Sequence, residues 1–221
     1  MTLEIKNLTH WYTTADNALY KDVNLTFESG KFYAIVGESG SGKTTLLSFL
    51  AGLDVPREGD ILVDGVSIKK IGLTAFRQKY VSTIFQSYNL LTTMTAFQNV
   101  QTALAITKSK HANDKTYILE QLARVGIDEE KAQKNVQRLS GGEQQRVAIV
   151  RALLVDAPIV AADEATGNLD HENSEKIVAF FAELAHEFGK TVILITHDRD
   201  VAKQADEQLL LKDHVFTPIT D

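Results

Sequence analysis

Apolar and polar residues alternate over Leu3-Glu4-Ile5 and again over Val23-Asn24-Leu25-Thr26-Phe27, the period of strands with one buried and one wet face. Glu28-Ser29-Gly30-Lys31 reads as a turn. The next segment, Phe32-Tyr33-Ala34-Ile35-Val36, is apolar on both faces and predicts a strand inside a covered sheet. Ile159-Val160-Ala161-Ala162 and Thr191-Val192-Ile193-Leu194-Ile195-Thr196 share that character, and Val81-Ser82-Thr83-Ile84-Phe85 is a further strand candidate. Within Ile61–Ile68, Asp64-Gly65 separates two β-prone triplets and predicts a hairpin with a type I′ turn, hence an antiparallel element near the N-terminus. Helical spacing appears in Ile118, Leu119, Leu122 and Val125, and again in Ile177, Phe180, Phe181, Leu184 and Phe188 before a capping Gly189. Two more helices are expected, one opening at Leu46-Leu47 and one from Ser140 to about Val155. The whole chain reads as one α/β domain, strand-rich in its first third and helix-rich in its C-terminal half.

Each of the covered strands runs into a polar group. Phe32–Val36 enters a glycine-rich loop, Val81–Phe85 leads to Gln86, Ile159–Ala162 to Asp163-Glu164, and Thr191–Thr196 to His197-Asp198. Ligands of open α/β sheets sit just beyond the carboxyl ends of the strands, so these four ends outline one site. The glycine-rich loop, Gly37-Glu38-Ser39-Gly40-Ser41-Gly42-Lys43-Thr44, fits G-x-x-x-x-G-K-[ST] between a predicted strand and a helix start. Its amides turn inward as an anion nest, the following helix N-terminus adds a positive dipole end, and Lys43 reaches terminal phosphates. The Thr44 hydroxyl is placed for Mg²⁺, and Thr45 extends the set of ligand-contacting residues. Asp163 suits a Mg²⁺ site and Glu164 can take a proton from an attacking water, although an Asp-Glu pair after a strand also serves as a solvated turn and N-cap. His197 ends a strand aimed at the same phosphates, where a lone His could equally be a satisfied core residue.

Leu139-Ser140-Gly141-Gly142-Glu143 contains a capping box, Ser140 with Glu143, but capping alone does not ask for two glycines. Each glycine costs about 1 kcal/mol against Ala inside a helix, so the pair points to exposed amides that approach a phosphate closely. Beside the P-loop, this segment resembles the signature L-S-G-G-[QE] of ATP-binding cassette (ABC) ATPases, and the resemblance runs through essentially the whole chain in the right order.

That resemblance implies a P-loop NTPase fold: a RecA-like, mostly parallel core sheet with an N-terminal antiparallel β subdomain (residues 1–86 and 158–221 together) and an α-helical subdomain over 87–157. It implies ATP and Mg²⁺ as ligands, Tyr12 or its neighbour Trp11 stacking on adenine, and Gln86 as the glutamine that senses Mg²⁺ and links the site to a membrane partner. Asp163 then holds Mg²⁺, Glu164 is the catalytic base and His197 contacts the γ-phosphate. Gly167-Asn168-Leu169-Asp170 is similar to the family's dimer-contact loop. Two cassettes pair head to tail in this family, so Ser140, Gly141 and Gly142 of one subunit complete the site around Lys43 of the other. Phe85–Leu91, Asn99-Val100 and Ala162–Asp170 are similar to the lipoprotein-release and macrolide or antimicrobial-peptide export group. Ala165, Val136 and His214 depart from the residues usual at their positions, and none of the three removes a catalytic group.

Composition narrows the alternatives. The 221 residues are 44% hydrophobic and 24% charged, with no Cys, which removes thiolate metal sites and Cys nucleophiles. A net charge of -6 supplies no overall field for nucleic acid or anionic lipid. The longest apolar candidate, Val147–Val155, is interrupted by Arg151 and is far short of a membrane span. The expectation is a cytoplasmic ATPase subunit, peripheral on the inner face of the membrane and bound to a separate integral permease. A regulatory cassette acting on a membrane protein without transport is the first alternative, and a DNA- or ribosome-associated cassette is a more distant one.

Overall fold

The computed structural model describes residues 1–219 and contains among them ten strands and nine α-helices. The strands are β1 (Thr2–His10), β2 (Tyr20–Glu28), β3 (Phe32–Gly37), β4 (Glu58–Val63), β5 (Val66–Ser67), β6 (Val81–Ile84), β7 (Ile159–Asp163), β8 (Thr191–Thr196), β9 (Glu207–Lys212) and β10 (Val215–Pro218). The α-helices are α1 (Lys43–Leu50), α2 (Ile68–Ile71), α3 (Leu73–Lys79), α4 (Ala96–Ile106), α5 (Lys115–Arg124), α6 (Glu129–Ala132), α7 (Gly141–Leu153), α8 (His171–His186) and α9 (Arg199–Ala202).

The strands form two sheets. One is antiparallel in the order β2-β1-β4-β5; the other runs β10-β9-β3-β8-β7-β6 and is parallel apart from its edge strand β10. In the parallel sheet successive side chains serve two cores. Tyr33, Ile35, Ile159, Ala161, Ile193 and Ile195 pack toward α1 and the antiparallel sheet, whereas Phe32, Val160, Ala162, Val192 and Leu194 pack toward α4, α5, α7 and α8. This double burial explains why β3, β7 and β8 are apolar throughout.

The expected hairpin is present, with Asp64 and Gly65 at φ 47° and 76° as a type I′ turn demands. Its second arm is shorter than the sequence suggests. The Ser67 hydroxyl accepts the Lys69 amide and starts α2, so Ile68 is helical and not part of the hairpin. Likewise α7 stops at Leu153, short of the expected Val155, and α8 begins earlier than its apolar stripe, capped by the Asp170 carboxylate on the Asn173 amide. In β1 a register shift between Ile5 and Leu8 bulges the strand, and there Gly59 of β4 comes so close that a Cβ would lie 2.4 Å from the Lys6 and Asn7 carbonyl oxygens. Only glycine fits that approach.

Candidate nucleotide-binding site

The loop from β3 to α1 is shaped by its glycines. Gly40 and Gly42 sit at φ 82° and 109°, and Gly42 is the N-cap of α1. The Tyr20 hydroxyl, reaching from β2, donates to the Gly42 carbonyl at 2.7 Å and ties the antiparallel sheet to the loop. Burial pushes that phenol well above its usual range, so it remains a donor. Lys43 is 8% exposed, and its ammonium donates to the Gly37 and Glu38 carbonyls at 2.7 Å each. The Lys43 charge thus lies inside the loop, within a side chain's swing of any bound phosphate.

A cleft of about 470 Å³ opens beside it, lined by Ser39, Gly40, Lys43, Thr44, Gln86, Asp163, Glu164 and His197. Four strand ends meet there as the sequence predicts. Glu164 is held at both carboxylate oxygens: Gln86 Nε2 donates to Oε2 at 2.9 Å, and His197 Nδ1 lies 3.1 Å from Oε1. Its backbone amide donates to the Ile195 carbonyl, and its φ of 47° is a left-handed value uncommon for a side-chain-bearing residue. Asp163, 9% exposed, has its carboxyl raised first by burial and then by the Glu164 charge, with Lys43 opposing.

The oxygens of Thr44, Asp163, Glu164 and Gln86 suit a hard cation that takes most of its ligands from water and phosphate, as Mg²⁺ does. Among the described residues no cluster of three or more His, Cys, Asp or Glu side chains is assembled for a metal.

Tyr12 is 65% exposed and its hydroxyl lies 2.7 Å from Thr45 Oγ1, which sets it beside the first turn of α1; Trp11 is half-buried. Ser140 and Glu143 form the expected reciprocal capping box, Ser140 N to Glu143 Oε2 at 2.8 Å and Glu143 N to Ser140 Oγ at 3.3 Å. Ser140, Gly141 and Gly142 do not line the cleft. They lie instead near Tyr88 and Asn168, whose amide donates to the Tyr88 hydroxyl at 3.2 Å, and Ser140 and Gly141 are exposed.

Three side chains that organise the site escaped the sequence reading. Gln145, 2% exposed, donates to the Ala165 carbonyl at 2.5 Å and so joins the signature helix to the turn bearing Glu164. Arg151 donates to the Tyr88 and Asn89 carbonyls at 2.9 and 2.5 Å, locking the left-handed pair that follows Gln86. Tyr20 is the third. Their only signal was polarity, or a hydroxyl, at positions where helix or strand period puts the interior.

No helix among the described residues is long and apolar enough to cross a membrane. The sequence model of the family described as ABC transporter matches residues 20–167. The chain is 51% identical over 215 residues to YclH of Bacillus subtilis, described as an uncharacterized ABC transporter ATP-binding protein, covering 97% of this chain and 95% of that one. It is 39% identical to the lipoprotein-releasing system ATP-binding protein LolD of Francisella tularensis, covering 96% and 94%. Its fold is similar, at a TM-score of 0.89 and 34% identity over 99% of each chain, to a dimeric post-hydrolysis structure of the cassette MJ0796 bound to ADP and Pi. A P-loop facing two strand-end carboxylates, with a signature segment held apart from them, therefore has its explanation in ancestry: the chain belongs to the ABC transporter family and is an ATP-binding cassette.

Proposed function

We propose that this chain hydrolyses ATP as one of two identical cassettes, uses Mg²⁺, and drives a separate integral permease from the cytoplasmic face of the membrane. The observation that carries this reading is Glu164, poised at the mouth of the P-loop cleft with one carboxylate oxygen on Gln86 and the other beside His197. In the proposed mechanism Lys43 leaves the Gly37 and Glu38 carbonyls for the β- and γ-phosphates, while the loop amides hold the phosphate oxygens. Glu164 orients a water and takes its proton as the water oxygen bonds to the γ-phosphorus and the bond to the bridging oxygen of ADP breaks. His197 and the partner's signature amides stabilise charge on the transferred group. Thr44 and Asp163 would hold Mg²⁺, with Gln86 as its sensor; when bound it neutralises phosphate charge.

The exposed Ser140 and Gly141 support the paired arrangement, since they are free to meet a second copy's ATP and line no part of their own cleft. We assign residues 1–86 and 158–221 to the nucleotide-binding core and 87–157 to a helical subdomain that meets the permease. A regulatory role at a membrane protein without transport uses the same ATPase cycle. Which permease copurifies with the chain distinguishes the two.

Glu164→Gln tests the reading. It preserves shape and removes the base, so ATP binding persists, turnover falls by about 100-fold or more, and ATP shifts the chain to doubled mass in size-exclusion chromatography. A fully active, unshifted variant removes Glu164 from the role.

A further inference from the structure

Along β1 the inward positions Leu3, Ile5 and Leu8 are apolar, and the next inward position is His10, 4% exposed. Neither ring nitrogen of His10 has a hydrogen-bond partner among the described residues. A buried imidazole without partners, where Phe would pack as well, calls for an explanation. Its ring lies edge-to-face with Tyr12, centroids 5.0 Å apart at 87°, and with Phe49 of α1, 4.9 Å apart at 70°. Tyr12 is anchored at its other end by the hydroxyl contact with Thr45. Both anchors lead to α1, the helix opened by the phosphate loop, so the exposed ring has a fixed attitude relative to that loop.

We propose that His10 is a positioning residue for nucleotide binding: its ring, wedged against Phe49, holds Tyr12 with its open face toward the adenine base. This rests on the proposed ATP binding and takes the exposed, Thr45-anchored Tyr12, not Trp11, as the base-stacking ring; it adds a residue that never touches the ligand. His10 lines no part of the phosphate cleft, so its loss falls on ATP affinity and leaves the chemical step intact. Burial holds the ring below the usual imidazole range, with Asp54 raising and Arg57 lowering it less strongly; Tyr20 is its cross-strand neighbour. Because the folded value lies below the unfolded one, about 6.5, the neutral ring's contribution is complete at neutral pH and is lost as pH falls through the folded value.

The test is steady-state ATPase activity of the full chain across ATP concentration, at pH 7.5, for His10→Ala, His10→Phe and Tyr12→Ala. His10→Ala should raise KM about fivefold with kcat within about twofold, the size of one lost aromatic pair. His10→Phe should restore KM to the wild-type value, since an aromatic ring again fills the seat between Tyr12 and Phe49. Tyr12→Ala should raise KM at least as much as His10→Ala. An unchanged KM in Tyr12→Ala overturns base stacking, and this proposal with it. A raised KM there with an unchanged one in His10→Ala overturns the proposal alone. If His10→Ala does not fold, His10→Phe decides: a raised KM with kcat unchanged contradicts the role of an aromatic wedge.

Discussion

Asp163 is a side chain whose charge the fold opposes. It closes β7 at 9% exposure, burial and the neighbouring Glu164 both raise its carboxyl pKa, and Lys43 offsets only part of that. A carboxylate raised on folding stabilises below its unfolded value, near 3.9, and that contribution is lost as pH rises through the folded value. At neutral pH the ionised group is therefore a strain on the ligand-free protein, which the proposed Mg²⁺ would relieve. Asp163→Asn should raise the ligand-free Tm by about 2–4 °C, for a gain of about 1 kcal/mol. The difference from wild type should shrink as pH falls toward 4. The same variant should lose most of the extra Tm that ATP with Mg²⁺ gives wild type. Differential scanning fluorimetry over pH, with and without nucleotide, checks both halves; a lower ligand-free Tm with intact nucleotide protection would refute the assignment. Glu164 beside it was legible from Asp-Glu at a strand end, whereas its left-handed backbone was not, since no residue type there announces it.

The stretch between β6 and α4 shows how an element can be both scaffold and surface. Arg151 fixes the Tyr88 and Asn89 carbonyls, and Asn99, 1% exposed, brackets Leu91 by accepting its amide at 2.8 Å and donating to its carbonyl at 3.1 Å. Leu90 and Phe97 pack against the helical core, yet the Leu91 side chain is 44% exposed on this pinned backbone. The apolar residues of this stretch thus divide: Leu90 and Phe97 pack on the core, and Leu91 is exposed, as Ile106 at the end of α4 is. Leu91→Ser should shift Tm by no more than about 2 °C, as a surface change of about 0.5 kcal/mol does. It should also lower recovery of the permease in a pull-down from membranes. A large loss of Tm would place Leu91 in the core, and unchanged recovery would move the contact surface elsewhere. Elements with strong period, such as α5 and α8, were readable from sequence. The short α2, α3, α6 and α9 were not, because one turn or two of helix carries too little period and is set by local capping and packing.

For the molecule as a whole, the site was more legible than the sheets that carry it. Strand-loop-helix around Lys43 and the polar ends of β6, β7 and β8 are local signals, readable from neighbours in the chain. The pairing of β1 with β4, Leu3 opposite Val63, and of β3 with β9, Tyr33 opposite Glu207, joins residues far apart in sequence, and no local pattern encodes it. β9 and β10 went unread for that reason. At the same scale lies the proposed shared site, in which each ATP is enclosed by Lys43 of one copy and Ser140 of another, because the signature segment lines no part of its own cleft. Mixing Lys43→Ala chains with Ser140→Ala chains tests it most directly. Each variant alone should be nearly inactive, but a mixed dimer carries both lesions in one site and none in the other. At equal mixing, ATPase activity should return to about a quarter of wild type, half the dimers being mixed and each holding one intact site. Mixed dimers that demonstrably form and remain as inactive as either parent would contradict the shared site.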